Sequence, residues 1–354
     1  MAFWRKKPKR VEVVGLDIGS SAVKAVELRA TGQGFELAGM GLAHVPAGGI
    51  QGGEIRDTAA VEQAVRQALA QGGIQATDAV IGVSGGAVIA KRVNLPKMSQ
   101  AELGESIRWE AEQHIPFDID DVNLDFQILR QDGPQLEVML VAVKKGRVQS
   151  YADLVQAVGL NVVVVDADVF ALETQYEQSQ KDEGGEVVAL VNIGHETTNT
   201  NILQGGVNVY ARDIFVGGRQ YAPTLAQRFD LRPAEAEALV RGEPGTGGPG
   251  WAEVEPVLDL VSQEIGQEIQ RTLDYFGTTA EHERIQRIYL SGGCALVRGL
   301  PDFLAAQWGI EVSVANPFRR IEVSPGAVGD VVHKSAPLLA VATGLAMRYP
   351  GDRE

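Results

Sequence analysis

Two stretches, VVGLDIGSSAVKAVEL at 13–28 and VALVNIGHETTNTNIL at 188–203, decide the fold of this chain. They share one pattern at a constant offset of 175 residues: an apolar strand, an acidic or amide residue, a glycine turn and a second strand. Each is followed by another glycine turn and a further strand, so both halves are predicted to open with a three-stranded meander. A long pattern that recurs within one chain indicates a duplicated fold.

Helical periodicity follows the strands in both halves. Apolar residues recur at helical spacing over 58–70 and over 254–276. Strands with covering helices predict an α/β protein. The chain has 354 residues and is 45% apolar, so it can bury a large core, and its length suggests two or three domains.

An inserted subdomain is predicted between the two copies of the pattern. One of its helices begins with a capping box, in which Ser99 is the N-cap and Glu102 follows three residues later. A strand at 80–95 precedes this helix, and two strands, a helix and a final strand follow it. The predicted organisation is a basic tail at 1–10, a first lobe at 11–79 and 166–186, the inserted subdomain at 80–165, and a second lobe at 187–350.

Composition and charge argue against several functions. The net charge of −14 is opposite to the basic surface that nucleic-acid binding requires. No stretch approaches the roughly 18 apolar residues of a spanning helix, no secretory signal is evident, and one Cys rules out an internal disulfide framework. We therefore expect a cytoplasmic protein that binds no nucleic acid. The basic start, MAFWRKKPKR at 1–10, suits either contact with an anionic membrane surface or a solvated tail.

The first glycine turn, DIGSSAVK at 17–24, suits phosphate binding. Backbone N–H groups of Gly19, Ser20 and Ser21 can converge on an anion, and the glycine permits close approach. Asp17, at the end of the strand, could hold a hydrated Mg²⁺, because this ion keeps several waters and needs only one or two carboxylates. A single turn of this kind is common in proteins.

The second glycine turn makes the nucleotide interpretation much stronger. Asn192, Gly194, Thr197 and Thr198 lie in the second copy of the pattern. Two such turns, one in each half, can face each other across a cleft and hold phosphates from opposite sides. An isolated β-turn has no reason to be duplicated in this way.

A third glycine turn, at Gly292 and Gly293, follows a further predicted strand. It could let a flat base approach the backbone, or it could be a tight strand-to-helix turn. Three turns in this order resemble the actin, Hsp70 and sugar-kinase superfamily. The resemblance implies a duplicated ribonuclease-H-like (actin-like ATPase) fold, with two lobes around an ATP-binding cleft. It also implies that Lys24 reaches the β-phosphate and that Glu237 holds the ribose hydroxyls, although Val240 replaces a basic residue that relatives often carry beside that Glu.

A closer resemblance comes from SIRWEAEQHIPFDIDDVNLDF at 106–126, which is similar to the PilM family of type IV pilus assembly proteins. The insertion resembles the subdomain that this family shares with FtsA. The resemblance implies an ATP-binding adaptor, peripheral to the inner membrane, that binds the cytoplasmic N-terminal peptide of PilN in a groove beside the insertion. Other inner-membrane components of the pilus, motor ATPases and self-association are further implied partners. Trp109, Ile115 and Phe117 are expected to pack in a core rather than to contact this peptide.

One departure from the superfamily bears on catalysis. The second turn has Asn192 where relatives usually have Asp. An amide can hydrogen-bond a metal-bound water, but it cannot act as a carboxylate base. We therefore expect ATP binding with slow or absent hydrolysis, and we assign no catalytic residue. Glu196 could substitute, but nothing in the sequence fixes its direction.

Rival functions are a serine hydrolase, a metal enzyme, a small-molecule kinase and a filament-forming ATPase. The stretch GVSGG at 82–86 satisfies the G-x-S-x-G motif, with His333 downstream, but a strand is predicted after Ser84 where a hydrolase has a helix. The five His residues show no paired ligand spacing. A kinase would need a further acidic base, for which the sequence offers no clear candidate. A filament follows from the fold class alone and stays open.

Overall fold

The structure, a computed structural model, describes residues 12–32, 34–180, 185–243, 248–279, 284–324 and 327–352. The basic tail predicted at 1–10 lies outside these residues. The α-helices of the described part are α1 (Thr58–Gln71), α2 (Gln100–His114), α3 (Lys145–Ala157), α4 (Asp168–Ser179), α5 (Tyr221–Phe229), α6 (Pro233–Val240), α7 (Trp251–Thr279), α8 (Leu300–Trp308), α9 (Ala327–Ser335) and α10 (Ala340–Ala346).

The strands belong to three larger sheets and one short hairpin. The strands are β1 (Val13–Ile18), β2 (Ala22–Thr31), β3 (Gly34–His44), β4 (Ile50–Gln51), β5 (Glu54–Ile55), β6 (Asp78–Val83), β7 (Val88–Pro96), β8 (Val122–Asp132), β9 (Gln135–Lys144), β10 (Asn161–Ala167), β11 (Val187–Ile193), β12 (Thr198–Gln204), β13 (Val207–Ile214), β14 (Arg287–Ser291), β15 (Glu311–Val314) and β16 (Ile321–Glu322).

The two main sheets show the predicted duplication. In the described residues, the first sheet has the order β10-β6-β1-β2-β3-β16 and the second has the order β13-β12-β11-β14-β15. β1 lies antiparallel to β2 and parallel to β6, and β11 lies in the same way between β12 and β14. Each lobe is therefore built on a central strand that leads into one of the two glycine turns.

Helices cover both faces of the first sheet because its central strand is apolar on both sides. Val14 and Leu16 of β1 pack with Val65 of α1 and Leu154 of α3. On the opposite face, Val13 packs with residues of α4 and α10. The second sheet is covered by α7 and α8 on one face. Its other face contributes residues of β11 and β12 to the core cluster that includes α4. Helix α4 is therefore shared between the two lobes.

The inserted subdomain is smaller than the predicted range of 80–165. It consists of the sheet β7-β9-β8 with α2 packed on one face. β6 belongs to the first main sheet, because Val80 pairs with Gly15 of β1. α3 packs on that sheet and β10 pairs with β6, so both belong to the first lobe. The insertion thus covers 88–144.

Two other boundary predictions also need correction. The single strand predicted at 80–95 is two strands, because a 3₁₀ turn at Gly85–Ala87 separates β6 from β7. The second lobe was predicted to extend to 350, but β16 pairs with β3 and α10 packs against β1. The end of the described chain therefore returns to the first lobe.

The capping box predicted at the start of α2 is confirmed. The Glu102 carboxylate accepts the Ser99 N–H at 2.8 Å, and the Ser99 hydroxyl accepts the Glu102 N–H at 3.3 Å. Ile115 is buried and Phe117 packs against the same cluster, as expected. Trp109 was expected in the core, but this prediction is wrong because its side chain is 72% exposed. It lies on the side of α2 that faces away from the subdomain sheet.

Close backbone packing holds α10 between β1 and α4. A Cβ atom on Gly344 would lie 1.9 Å from the Ala171 carbonyl oxygen of α4, and one on Gly15 would lie 2.1 Å from the Ala342 carbonyl oxygen. Real Cβ atoms do not approach oxygen this closely. Glycine at both positions therefore allows three elements of the first lobe to meet.

We predict that Gly344→Ala destabilises the protein, because the added methyl group must push α10 away from α4. Overpacking of this kind costs roughly 1–3 kcal/mol or more. Chemical denaturation of the variant and the wild type measures the difference. Gly104→Ala in α2 is the matched control, since its Cβ would meet no atom within 4 Å, and we expect it to stabilise by about 0.5–1 kcal/mol. Equal stability of Gly344→Ala and wild type would contradict this packing.

Candidate phosphate-binding site

A cavity of about 90 Å³ lies where the two glycine turns meet. Its volume suits phosphate groups, whereas sites for whole ligands are typically several hundred Å³, so a base and ribose would lie outside it. The predicted residues that line the cavity are Asp17, Gly19, Ser20, Ser21 and Lys24 of the first turn, and Asn192, Gly194 and Thr197 of the second. The structure therefore brings the two repeats together around one cavity.

The same hydrogen bond closes both turns. The Gly19 N–H donates to the Ala22 carbonyl at 3.1 Å, and the Gly194 N–H donates to the Thr197 carbonyl at 2.9 Å. A Cβ on Gly194 would lie only 2.8 Å from that Thr197 oxygen. The turns are thus equivalent in geometry as well as in sequence, and Gly194 is required by this close approach.

The first turn carries an ion pair. Asp17 and Lys24 face each other across the β1–β2 pair, and the Lys24 Nζ lies 3.1 Å from the Asp17 Oδ2. Both side chains are mostly buried, at 15% and 14% exposure, and both line the cavity. A cation and an anion are therefore held side by side at the phosphate position.

The second turn carries a neutral pair at the same register position. Asn192 faces Asn199 across the β11–β12 pair, and the Asn192 Nδ2 donates to the Asn199 Oδ1 at 2.8 Å. The Asn199 Nδ2 in turn donates to the Asp213 Oδ1 at 2.7 Å. The carboxylate of this three-residue set therefore lies on β13, one strand further from the cavity than Asn199.

A buried carboxyl group in the cavity was missed by the sequence analysis. Asp168 is the first residue of α4, and it lines the cavity. A Cβ on Gly82 would lie 2.3 Å from the Asp168 Oδ1, so Gly82 makes room for this carboxyl group. Burial and the nearby Asp17 carboxylate raise the pKa of Asp168 to about 8, while a hydrogen bond with the Ser84 side chain opposes the rise. Its signal in the sequence was an acidic residue at the end of an otherwise apolar run.

The G-x-S-x-G stretch has a different role from the one that a hydrolase would need. Ser84 is followed by a 3₁₀ turn and β7, so no strand-to-helix nucleophile elbow forms. His333 lies on α9 and does not line the cavity. Instead, Gly82 and Ser84 accommodate Asp168, and the Gly85 N–H donates to the Asp213 carboxylate at 2.5 Å. The geometry argues against the hydrolase alternative.

A hydrogen bond at the cavity joins the two lobes, and two others fix the first-lobe side of it. The Glu196 carboxylate accepts the Gly52 N–H at 2.9 Å, so the direction that the sequence left open is towards the β4–β5 hairpin. Arg147 of α3 donates to the Gly52 carbonyl at 3.2 Å and to the Ser84 carbonyl at 3.4 Å. Arg147 was also missed by the sequence analysis, and it brings a second positive charge to the cavity wall.

Four of the predicted site residues do not line the phosphate cavity. Thr198 is a correction, since its buried side chain donates to the Val216 carbonyl at 2.8 Å. Gly292 is buried behind the second turn, where a Cβ would lie 2.4 Å from the Ile193 oxygen, so the tight-turn interpretation explains it. Gly293 is exposed with open space around it, and Glu237 is exposed on α6. These last two can contact only the part of a nucleotide outside the cavity.

The cavity fits a magnesium ion better than a transition metal. Among the described residues, no group of three or more His, Cys, Asp or Glu side chains could hold a metal. Carboxyl groups of Asp17, Asp168 and Glu196 line the cavity instead. Hard oxygen donors of this kind suit Mg²⁺, which keeps most of its ligands as water and phosphate oxygen.

The fold and the cavity define an actin-like protein. Each lobe is built on one of two equivalent sheets, and the phosphate-sized cavity lies between the lobes. Two solved structures share this fold at low identity: ethanolamine utilization protein EutJ from Carboxydothermus hydrogenoformans, with a TM-score of 0.56 and 16% identity over 96% of this chain and 90% of that chain, and MreB5 of Spiroplasma citri bound to AMPPNP, with a TM-score of 0.54 and 13% identity over 96% of each. No helix in the described ranges is both long and apolar enough to span a membrane.

Two further comparisons are more specific. Cell division protein FtsA of Escherichia coli (strain K12) is 24% identical in an alignment 369 positions long. This alignment covers 88% of this chain and 86% of FtsA. The solved PilM-PilN type IV pilus biogenesis complex contains a chain with a TM-score of 0.84 and 30% identity, and the match covers 96% of this chain and 99% of that chain. Residues 15–349 match the family described as type IV pilus assembly protein PilM. The chain therefore belongs to the PilM family.

We predict that Asp168→Asn removes a pH-dependent loss of stability. The pKa of Asp168 is about 8 in the folded protein against an ordinary value of 3.8. Between these values the folded state keeps a proton that the unfolded chain has lost, so stability falls as the pH rises through the window from about 4 to 8. The variant should gain on the order of a few kcal/mol over wild type at pH 8 and little at pH 4.

Thermal or chemical denaturation at both pH values, without nucleotide or Mg²⁺, measures this gain. Asp153→Asn, at an exposed position on α3, is the matched control and should change stability equally at both pH values. A gain for Asp168→Asn that does not depend on pH would show that the buried carboxyl group keeps its ordinary pKa.

Proposed function

We propose that this PilM-family protein is an ATP-binding cytoplasmic adaptor of the type IV pilus assembly machinery, peripheral to the inner membrane. The observation that carries the nucleotide part is the pair of equivalent glycine turns around one cavity, with Lys24 beside it. Family membership carries the pilus part. EutJ and MreB share the fold, and the MreB5 structure was solved with AMPPNP bound, which supports a nucleotide in a cleft of this type.

The phosphates of ATP would lie between the two turns. Backbone N–H groups of Ser20 and Ser21 and the Lys24 ammonium would contact them from the first lobe, and Thr197 from the second. Asp17 would hold Mg²⁺ through water, and the ion would neutralise phosphate charge. The base and ribose would extend towards Gly293 and Glu237. The charge of Glu237 already acts on His195, which lines the cavity.

Hydrolysis is proposed to be slow because none of the three candidate bases is a carboxylate free to activate water: the Glu196 carboxylate accepts the Gly52 N–H. Asn192 is an amide, and without a bound ion burial and the nearby Asp17 carboxylate raise the pKa of Asp168 to about 8. Asp168 is the acidic group that a kinase of this superfamily would need, and it is the feature that keeps the enzyme alternative open. A cavity of about 90 Å³ nevertheless leaves little room for an acceptor substrate beside the phosphates.

The partner is proposed to be the cytoplasmic N-terminal peptide of PilN. The solved PilM-PilN complex matches almost the whole chain at 30% identity, which supports this partner. We place the peptide in a groove beside the insertion of 88–144, as the family resemblance implies. Contact with motor ATPases and other inner-membrane pilus components, membrane contact through 1–10, and self-association stay predictions.

We predict that Lys24→Ala weakens Mg-ATP binding at least about tenfold, because one charge-assisted phosphate contact of more than about 1.4 kcal/mol is lost. Calorimetric titration measures the affinity. Lys91→Ala, on the exposed face of β7, removes the same charge away from the cavity and should leave the affinity unchanged. Equal weakening by both variants would refute phosphate binding by Lys24.

Phosphate release at several turnovers per second by wild type would refute slow hydrolysis.

We predict that a synthetic peptide of the PilN N-terminus binds the full chain with micromolar or tighter affinity, since only the pilus-adaptor function requires this contact. Fluorescence anisotropy of a labelled peptide measures binding, and a scrambled peptide of the same composition is the control. Binding that is absent, or equal for both peptides, would refute the adaptor proposal. Label transfer from ATP to a sugar or acid would then favour the kinase alternative.

A further inference from the structure

A continuous set of hydrogen bonds joins the second phosphate turn to the inserted subdomain. The Ser291 hydroxyl donates to the Asn192 Oδ1 at 3.2 Å, and the Asn192 Nδ2 donates to the Asn199 Oδ1 at 2.8 Å. The Asn199 Nδ2 donates to one oxygen of Asp213 at 2.7 Å, and the Gly85 N–H donates to the other at 2.5 Å. Every side chain in this set is therefore oriented by its neighbours.

The direction of these hydrogen bonds is set by the Asp213 carboxylate. An ionised carboxylate only accepts hydrogen bonds, so Asn199 must turn its NH₂ group towards Asp213. The carbonyl oxygen of Asn199 then faces residue 192, which must be a donor. An aspartate at position 192 would place oxygen against oxygen. The neutral amide at the second phosphate turn is thus a consequence of the acid two strands away.

The two lobes carry their aspartate on different strands of the meander. In the first lobe, Asp17, Lys24 and Leu42 lie side by side across β1, β2 and β3. In the second lobe, the register across β11 and β12 and then across β12 and β13 places Asn192, Asn199 and Asp213 in the same three positions. The aspartate occupies the central strand in one lobe and the outer strand of the meander in the other. The outer position brings it next to Gly85.

Each carboxyl oxygen of Asp213 accepts one hydrogen bond from a neighbouring N–H group. Burial raises its pKa, and the two hydrogen bonds from Asn199 and Gly85 oppose that rise. Gly85 has φ of 79°, a conformation that favours glycine, and it begins the 3₁₀ turn between β6 and β7. The Asp213 carboxylate therefore contacts the root of the inserted subdomain from the other lobe.

We propose that Asp213 is a positioning residue: through Asn199 it orients the Asn192 amide at the second phosphate turn, and through Gly85 it ties that turn to the root of the inserted subdomain. The orientation itself does not depend on a nucleotide. Its consequence, that phosphate at Asn192 and the insertion influence each other, rests on the proposed ATP binding.

Three variants test the direction of the hydrogen bonds. Asn192→Asp alone places two acceptors against each other and should lower the melting temperature by several degrees. Asp213→Asn alone places an NH₂ group against the Gly85 N–H and should also lower it. In the double variant N192D/D213N, Asn199 can turn over and donate to residue 192, residue 213 can donate to Asn199, and its oxygen still accepts the Gly85 N–H. The two bonds of Asn199 are then restored in the reverse direction, and the bonds from Gly85 and Ser291 keep their direction, so the double variant should be more stable than either single variant.

A matched control separates this effect from net charge. N94D/D213N has the same charge as N192D/D213N, because Asn94 lies exposed on β7, and it should not rescue the Asp213→Asn loss. Melting is measured without nucleotide, so the result does not depend on ATP binding. A double variant that is not more stable than both single variants, including one that fails to fold, overturns the proposal.

Hydrogen exchange gives a second readout that a general loss of stability would not reproduce. In Asp213→Asn the Gly85 amide loses its acceptor, so its exchange should become at least about tenfold faster than in wild type. Amides in the middle of α7, which pack in the core of the second lobe and take no part in these hydrogen bonds, should change much less. In N192D/D213N the Gly85 exchange should return towards the wild-type rate. Equal acceleration at Gly85 and in α7, or no recovery in the double variant, contradicts the link.

Discussion

The glycine turn closed by an N–H to carbonyl hydrogen bond is the constraint on which the site depends. In each lobe it joins two antiparallel strands and fixes their register, so that Asp17 lies opposite Lys24 and Asn192 lies opposite Asn199. Because each turn ends the central strand of a sheet, both are held by cores on either face. Packing of α4 between the two sheets then brings the turns to one cavity.

Much of this arrangement could be predicted from the sequence because its signals are local. The repeat predicted both turns, the capping box predicted the start of α2, and the three glycine turns resembled the actin superfamily, which implied the fold. The bounds of the insertion could not be predicted, since the apolar pattern of β6 or β10 does not say which sheet the strand joins. Trp109 was misplaced because an apolar side chain in a helix is more often buried.

Two acidic residues of the site, Asp168 and Asp213, were not assigned to it from the sequence. Asp168 and Asp213 are distant from the glycine turns in the chain, and they reach the site through strand order and the approach of the two lobes. The G-x-S-x-G stretch was noticed for a chemistry that its context excludes. Its actual role is steric and polar, since Gly82 gives room to one acid and Gly85 donates to the other.

The charge of the cavity explains how such a site can hold a polyanion. Asp17, Asp168 and Asp213 lie in or beside it, and three ionised carboxylates would repel triphosphate strongly in a partly buried place. The raised pKa of Asp168, the hydrogen bonds that hold Asp213 away from the turn, and the amide at Asn192 each reduce the negative charge at the phosphate position. These features agree with the proposed function, in which the protein binds ATP and cleaves it slowly.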